Sequence, residues 1–502
     1  MSTSQVDLTA SQAPGPAGAD GVAPVHSKWL ALAVLAMAQL MVVLDATVVN
    51  IALPTAQADL GFSNDSRQWV VTGYALVFGS LLLLGGRLSD FFGRRRMFVI
   101  GVIGFALASA LGGAAVNFEM LLAARALQGA FGAALAPAAL ALLSTTFTEA
   151  KERAKAFAIF GAIAGAGGGA GLLIGGVLTE YASWRWCLYV NLVIAAVALV
   201  GAALYLREDT PLTRPKLDLP GATTAVVGLV GLVYGLANAE SKGWSSALTL
   251  VPIVVGLLVL ALFVVLEGRS DHPLLPMRVV LDRNRGGAYL TLAIAGIGMF
   301  GVFLFLTYYL TGILGFSPVQ TGTAFLPMLV VLIVVATVAG STLVPRVGPR
   351  PMVPAGALVA AAGMALMTRV GLESTYTGSV LLPLVLIGAG LGFVFAPVQN
   401  AATSGLAPED AGVASAMINT VQQIGGSIGT ALLSSFAASA ATSYAVGRTP
   451  SADLAALATL HSYQVVFWWS AAFFAACAVV AALVFRSGPI QVEPDADPVI
   501  AH

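Results

Sequence analysis

Fourteen runs of about twenty mostly apolar residues follow one another along this chain, each bounded by charge, proline or glycine. They begin near Trp29, Gln68, Met97, Met120, Ala154, Trp184, Leu219, Ala247, Gly287, Gly322, Pro351, Ser379, Gly412 and Tyr463. In hydrocarbon a spanning segment must satisfy its own backbone polar groups, so runs of this length predict helices. Composition agrees: 10% of the 502 residues are charged, against roughly 25% in soluble domains. Mean hydropathy is +0.90. Length therefore counts helices rather than soluble domains, and the expected fold class is an all-α polytopic membrane protein.

An even number of crossings puts both termini on one side. Eighteen Lys and Arg fall on that side, among them the Arg87/Arg94/Arg95/Arg96 cluster, five fall opposite, and Arg125 lies within a span. Basic residues favour the cytoplasmic side, which predicts cytoplasmic termini and a multi-pass protein of the inner, cytoplasmic membrane. Residues 1–28 and 487–502, rich in small residues and proline, read as disordered cytoplasmic tails. The formal net charge of zero gives no field to attract nucleic acid. Cys187 and Cys477 lie in apolar runs and read as small apolar fillers. The four histidines stand scattered in tails and loops without metal-ligand spacing, so no metal and no enzymatic centre is expected. No GxxxxGK[ST] loop occurs, which excludes an ATP-driven pump within this chain.

Four patterns carry chemistry. The first run contains LDATVVNIALP, in which Asp45 lies deep in hydrocarbon, a position that costs several kcal/mol unless the charge is paired, hydrated or protonated. That residue is read as a proton carrier or cation binder, or as a structural acceptor. In the fourth run, RALQGAFGAALAP holds Arg125, which keeps its proton and must find an acceptor, with Asp45 available directly or through water, or else snorkel outward. Between the second and third runs, GGRLSDFFGRRRMF supplies Gly86 for close helix contact, Asp90 as an acceptor for a helix N-terminus, Gly93 for a tight turn, and Arg94 and Arg95. Such a loop suits a latch. The fifth run, FGAIAGAGGGAGLLIGGVL, includes Gly171, Gly175 and Gly176; small residues at this density permit close, sliding helix contacts.

With these residues in place the chain resembles the major facilitator superfamily, and within it the fourteen-helix drug:proton antiporter family 2. Asp45 and its neighbours are similar to that family's first-helix motif, Gly86 to Arg96 to its loop motif, and Arg125, Gln128 and Gly129 to its fourth-helix motif. WRWCLYVNL (184–192) and GVASAMINTVQQIGGSIGTAL (412–432) resemble two further stretches. One departure stands out: Leu172 follows Gly171 where the family has a kinking proline. Another is the sparse PRVGPRP in the loop after the tenth run.

The resemblance implies the major facilitator fold. Six helices (residues 29–206) would form one bundle, residues 207–286 a linker with two inserted helices, and residues 287–486 a second bundle. It implies a monomer that exports drugs, antibiotics or other small amphipathic compounds by alternating access, driven by the proton gradient without a cofactor. Cargo would meet Asp45, Arg125, Asn50 and Gln128 from the first bundle, and Gln399, Asn400, Asn419, Gln422 and Gln423 from the second. Export of an endogenous metabolite, lipid or siderophore is the alternative on the same scaffold. A receptor without flux is the remote one.

Overall fold

A computed structural model describes residues 25–147, 149–206, 218–270, 273–404, 411–448 and 451–488. The six helices of the first bundle are α1 (Val25–Leu60), α2 (Asn64–Phe92), α3 (Arg94–Gly113), α4 (Phe118–Thr146), α5 (Ala150–Tyr181) and α6 (Trp186–Tyr205). Next come α7 (Leu219–Lys242) and α8 (Ala247–Glu267). The second bundle contains α9 (Arg283–Gly312), α10 (Pro318–Val347), α11 (Pro349–Met367), α12 (Tyr376–Thr403), α13 (Ala411–Ala445) and α14 (Ala452–Val484). Thirteen of these are long and apolar enough to cross a membrane among the described residues, and α5, at 32 residues, completes the fourteen.

Local chemistry sets many of the boundaries. Asp218 caps α7 by accepting from the Gly221 N–H, and Ser246 caps α8 by accepting from Leu248. Both starts fall where the apolar pattern puts them. Gly93, at φ +96°, separates α2 from α3 and supplies the tight turn expected of it. The start expected at Tyr463 is corrected to Ala452: the Ser451 cap begins α14 before its apolar part, in a stretch that hydropathy alone does not report. Helix α1 likewise begins at Val25, four residues inside the stretch read as a disordered tail. Residues 1–24 and 489–502 of the tails lie outside the described residues.

Apolar side chains cover the outside of the bundles: Leu107, Val193, Val200, Leu258 and Leu483 are all exposed, as a lipid-facing surface requires. Helices α7 and α8 form a hairpin through Gly231 and Gly256, where a Cβ on Gly231 would lie 3.2 Å from the Gly256 Cα. The Trp69 ring of α2 lies tilted against Tyr234 of α7, with ring centroids 5.9 Å apart, and Trp244 approaches Phe436 of α13 at 6.3 Å. The hairpin thus sits beside α2 and α13, one helix from each bundle.

Candidate functional site

Asp45 sits near the middle of α1 and is fully buried, with Arg125 of α4 only 1% exposed beside it. The guanidinium Nη1 donates to Asp45 Oδ2 at 2.5 Å. Arg125 and Gln128 are three residues apart on one face of α4, so both reach the same carboxylate. Gln128 Nε2 donates to Asp45 Oδ1 at 2.8 Å, and its Oε1 accepts from Arg125 Nη1 at 2.8 Å. Asn191 of α6 donates to the same Oδ1 at 2.8 Å. Ser109 of α3 accepts from Gln128 and Asn191, and Arg125 Nε donates to the Val70 carbonyl of α2 at 3.2 Å. The Tyr74 ring lies under the guanidinium, 4.4 Å from Cζ to centroid.

Asp45 and Arg125 therefore pair directly, and the snorkelling alternative for Arg125 is overturned. Contact with cargo is a different matter. Both oxygens of Asp45 already have donors from the first bundle, and the pair is sealed from the space between bundles in this conformation. Gln128 belongs to this buried network rather than to a cavity wall, and Asn50, 6% exposed, turns its amide to the Ala46 carbonyl. An apolar pocket lined by Val49, Leu53, Val70, Leu121 and Trp184 abuts Arg125 toward the end of α1 opposite the tails.

Asn191 was not singled out by sequence reasoning. Its signal was available, because an amide in the middle of an apolar run needs a partner as much as a charge does. Ser109 left no comparable trace, since a hydroxyl can satisfy itself on its own helix.

The glycines of α5 divide their work. A Cβ on Gly171 would collide with Thr47 Oγ1 of α1, and one on Gly175 would lie 3.1 Å from the Val48 carbonyl oxygen. A Cβ on Gly176 would instead lie 2.6 Å from the Pro318 carbonyl oxygen of α10. Reciprocally, one on Gly322 would lie 2.5 Å from the Leu172 carbonyl oxygen. Helix α5 thus leans on α1 with two glycines and touches the opposite bundle with the third. Helix α5 runs without a break through Gly171 and Leu172, from Ala150 to Tyr181.

Beyond that seam, Glu180 accepts from Ser317 Oγ at 2.6 Å and from the Val319 N–H at 2.9 Å. Arg67 at the same side lies over the Tyr308 ring of α9, 3.4 Å from Cζ to centroid. The bundles are closed together on the side away from the tails. Toward the tail side, Gln399 and Asn400 of α12 are exposed. Asn419, Gln422 and Gln423 are half-buried on α13, where Gly79 of α2 comes close enough that a Cβ on it would lie 3.2 Å from the Gln423 Cβ. The five amides expected on the second bundle are thus split between an open end and a helix contact.

The loop motif is also reassigned in part. Asp90 accepts from Arg94 Nη2 at 3.4 Å, one helical turn on, at the start of α3. Close helix contact falls to Gly85, whose Cβ would strike the Ala133 carbonyl of α4, whereas Gly86 has ordinary clearance of 3.7 Å from Pro137. Arg87, near the end of α2, donates to the Pro273 carbonyl in the segment between α8 and α9. Arg95 lies half-buried beside these residues.

Helix count, the paired inward charges and the glycine seam define a polytopic transporter scaffold. The chain belongs to the Major Facilitator Superfamily, whose family model matches residues 35–430. It is 48% identical over 466 residues to the puromycin resistance protein pur8 of Streptomyces alboniger, covering 92% of each chain. It is 42% identical to the cephamycin export protein CmcT of Amycolatopsis lactamdurans, over 80% of this chain and 84% of that one. Among solved structures, an autoinhibited POT family peptide transporter matches with a TM-score of 0.65 at 14% identity, covering 90% of this chain and 96% of that one. A bacterial homologue of the human lysosomal transporter Spinster matches with a TM-score of 0.62 at 15% identity, covering 91% and 98%. Those two likenesses bear on the fold alone. The protein is a membrane transporter of small molecules, not an enzyme.

Proposed function

We propose that this protein exports antibiotics or similar small amphipathic compounds from the cytoplasm in exchange for protons, acting as a monomer in the inner membrane with both termini cytoplasmic. The cargo class is supported by relatives named for puromycin resistance and cephamycin export. The coupling rests on one observation, the buried Asp45–Arg125 pair inside the first bundle.

In the far-side-closed conformation the pair locks α1 to α4 and α6. A proton reaching Asp45 cancels the charge that balances Arg125, so the guanidinium must find another acceptor and the bundle repacks. Cargo need not touch the carboxylate. It binds nearer the amides of α12 and α13, and the two events are linked through the position of α1 against α5. One proton crossing 100 mV and one pH unit releases about 3.7 kcal/mol, enough for a few-hundred-fold gradient of a neutral compound. A one-for-one exchange with a monovalent cation cancels the voltage contribution and leaves about tenfold per pH unit. Neutral cargo is therefore the better match to a single coupling acid.

The test is purified protein in liposomes loaded with puromycin, with an imposed pH gradient. Puromycin-dependent proton movement that an uncoupler abolishes is the expected result. Flux indifferent to the gradient would remove the proton from the mechanism.

A further inference from the structure

A second buried acid stands apart from the Asp45 site. Glu267 closes α8 and is 2% exposed. One of its oxygens, Oε2, accepts from the Leu275 N–H at 3.0 Å. The other, Oε1, is buried and has no hydrogen-bond partner among the described residues. The same holds for Oδ2 of Asp218, the residue that caps α7. Gly221 brings the two together: a Cβ there would lie 2.5 Å from Glu267 Oε1 and 2.9 Å from Asp218 Oδ2. Both unpartnered oxygens therefore border the small volume that Gly221 leaves free.

The N-terminus of α7 does not answer this need. Its Gly221 N–H is already taken by Asp218 Oδ1, at 2.9 Å. Arg87 of α2 is near enough to act on Glu267 electrostatically, as is Asp218, but its guanidinium bonds to the Pro273 carbonyl. Residues 273–275 bring backbone groups to the site. Two acceptors that share a buried space, with no hydrogen bond to either among the described residues, repel when both are charged. One hydrogen ion placed between them supplies the missing donor to both.

We propose that Glu267 and Asp218 form a proton-binding carboxyl pair at the base of the inserted hairpin, independent of the coupling acid Asp45. The bound proton resides on Glu267 Oε1 and is donated to Asp218 Oδ2. On release it passes to water on the tail side, and the Glu267 carboxylate then attracts Arg87. The site thus joins the charge state of the hairpin to the loop between α2 and α3.

Infrared spectroscopy of the full-length protein in detergent tests this without any transport reaction. At neutral pH the protein should show a protonated-carboxyl absorption that Glu267→Gln removes and Asp45→Asn retains. Asp218→Asn, which keeps the cap oxygen but offers an amide donor to Glu267, should move the loss of that absorption to lower pH. An absorption unchanged in both Glu267→Gln and Asp218→Asn overturns the proposal. So does its removal by sodium chloride at fixed pH, which would mark the space as a metal-cation site. Should Glu267→Gln fail to fold, the Asp218→Asn titration decides alone.

Discussion

Asn191 of α6 donates to Oδ1 of Asp45 at 2.8 Å across 146 residues of sequence, while Arg125 takes the other oxygen, Oδ2. With Gln128 also on Oδ1, Asp45 is held by α4 and α6 together. The acid is oriented before any proton arrives.

Removing one charge from this pair strands the other. Asp45→Asn should destabilise the protein by about 3–5 kcal/mol, because a buried guanidinium loses its counter-charge. The Asp45→Asn, Arg125→Gln double variant should recover much of that loss. Thermal unfolding in detergent reads both, and additive losses would mean that the two groups do not interact energetically.

Asn191→Ala should cost about 1–3 kcal/mol, since it withdraws a donor from a buried charged acceptor. Asn191→Asp should be worse, by setting a second carboxylate beside the first. Equal unfolding temperatures for the two variants would contradict the assigned contact.

Gly176→Ala should loosen the far-side seam, because the added methyl meets the Pro318 and Val319 backbone of α10, which cannot swing aside. Oxidative cross-linking between Glu180→Cys and Ser317→Cys reports the closure. The yield should fall when Gly176→Ala is added, and an unchanged yield would show that α5 and α10 part elsewhere.

Glu180 lies beyond the apolar part of α5, and its bond from Ser317, then that from the Val319 N–H, hold its carboxyl below the ordinary value of 4.5. A carboxyl lowered in this way supports the closed seam above pH 4.5 and withdraws that support as pH falls through its lowered value. The distance between spin labels placed elsewhere across the seam should therefore grow as pH falls below 4.5 while Glu180 and Ser317 are present, and lose that dependence when Glu180→Gln is introduced.

Asp90 and Arg94 remain 39% and 31% exposed, so Asp90→Asn should alter stability by no more than about 1 kcal/mol. Arg87→Gln should have the larger effect on tail-side protease accessibility, since it loses the contact to Pro273. Reversal of that order would return the latch to Asp90.

Much of the architecture was legible because hydrocarbon leaves so few choices. Apolar length gave the crossings, and the caps Asp218 and Ser246 fell where the runs began. Asp45 and Arg125 were legible as a pair because each was too costly to stand alone. What escaped was decided by register between distant helices. Gln128 faces the ion pair rather than the cavity only because α4 turns that face toward α1 and α6. Glu267 stands at the end of its run, where a linear pattern reads water; the fold covers it with α7 and the 273–275 segment. The Gly85 contact escaped for the same reason, as adjacent glycines look alike until a neighbouring helix selects one.

At Gly176 and Gly322 the seam between α5 and α10 lays peptide backbone against glycine. Such surfaces have no rotamers to sort when they meet, so the doorway on that side can part and reseal many times and return to the same fit. A transporter that must reject leaks while accepting cargo of varied shape gains from keeping its adaptable side chains away from its hinge of closure.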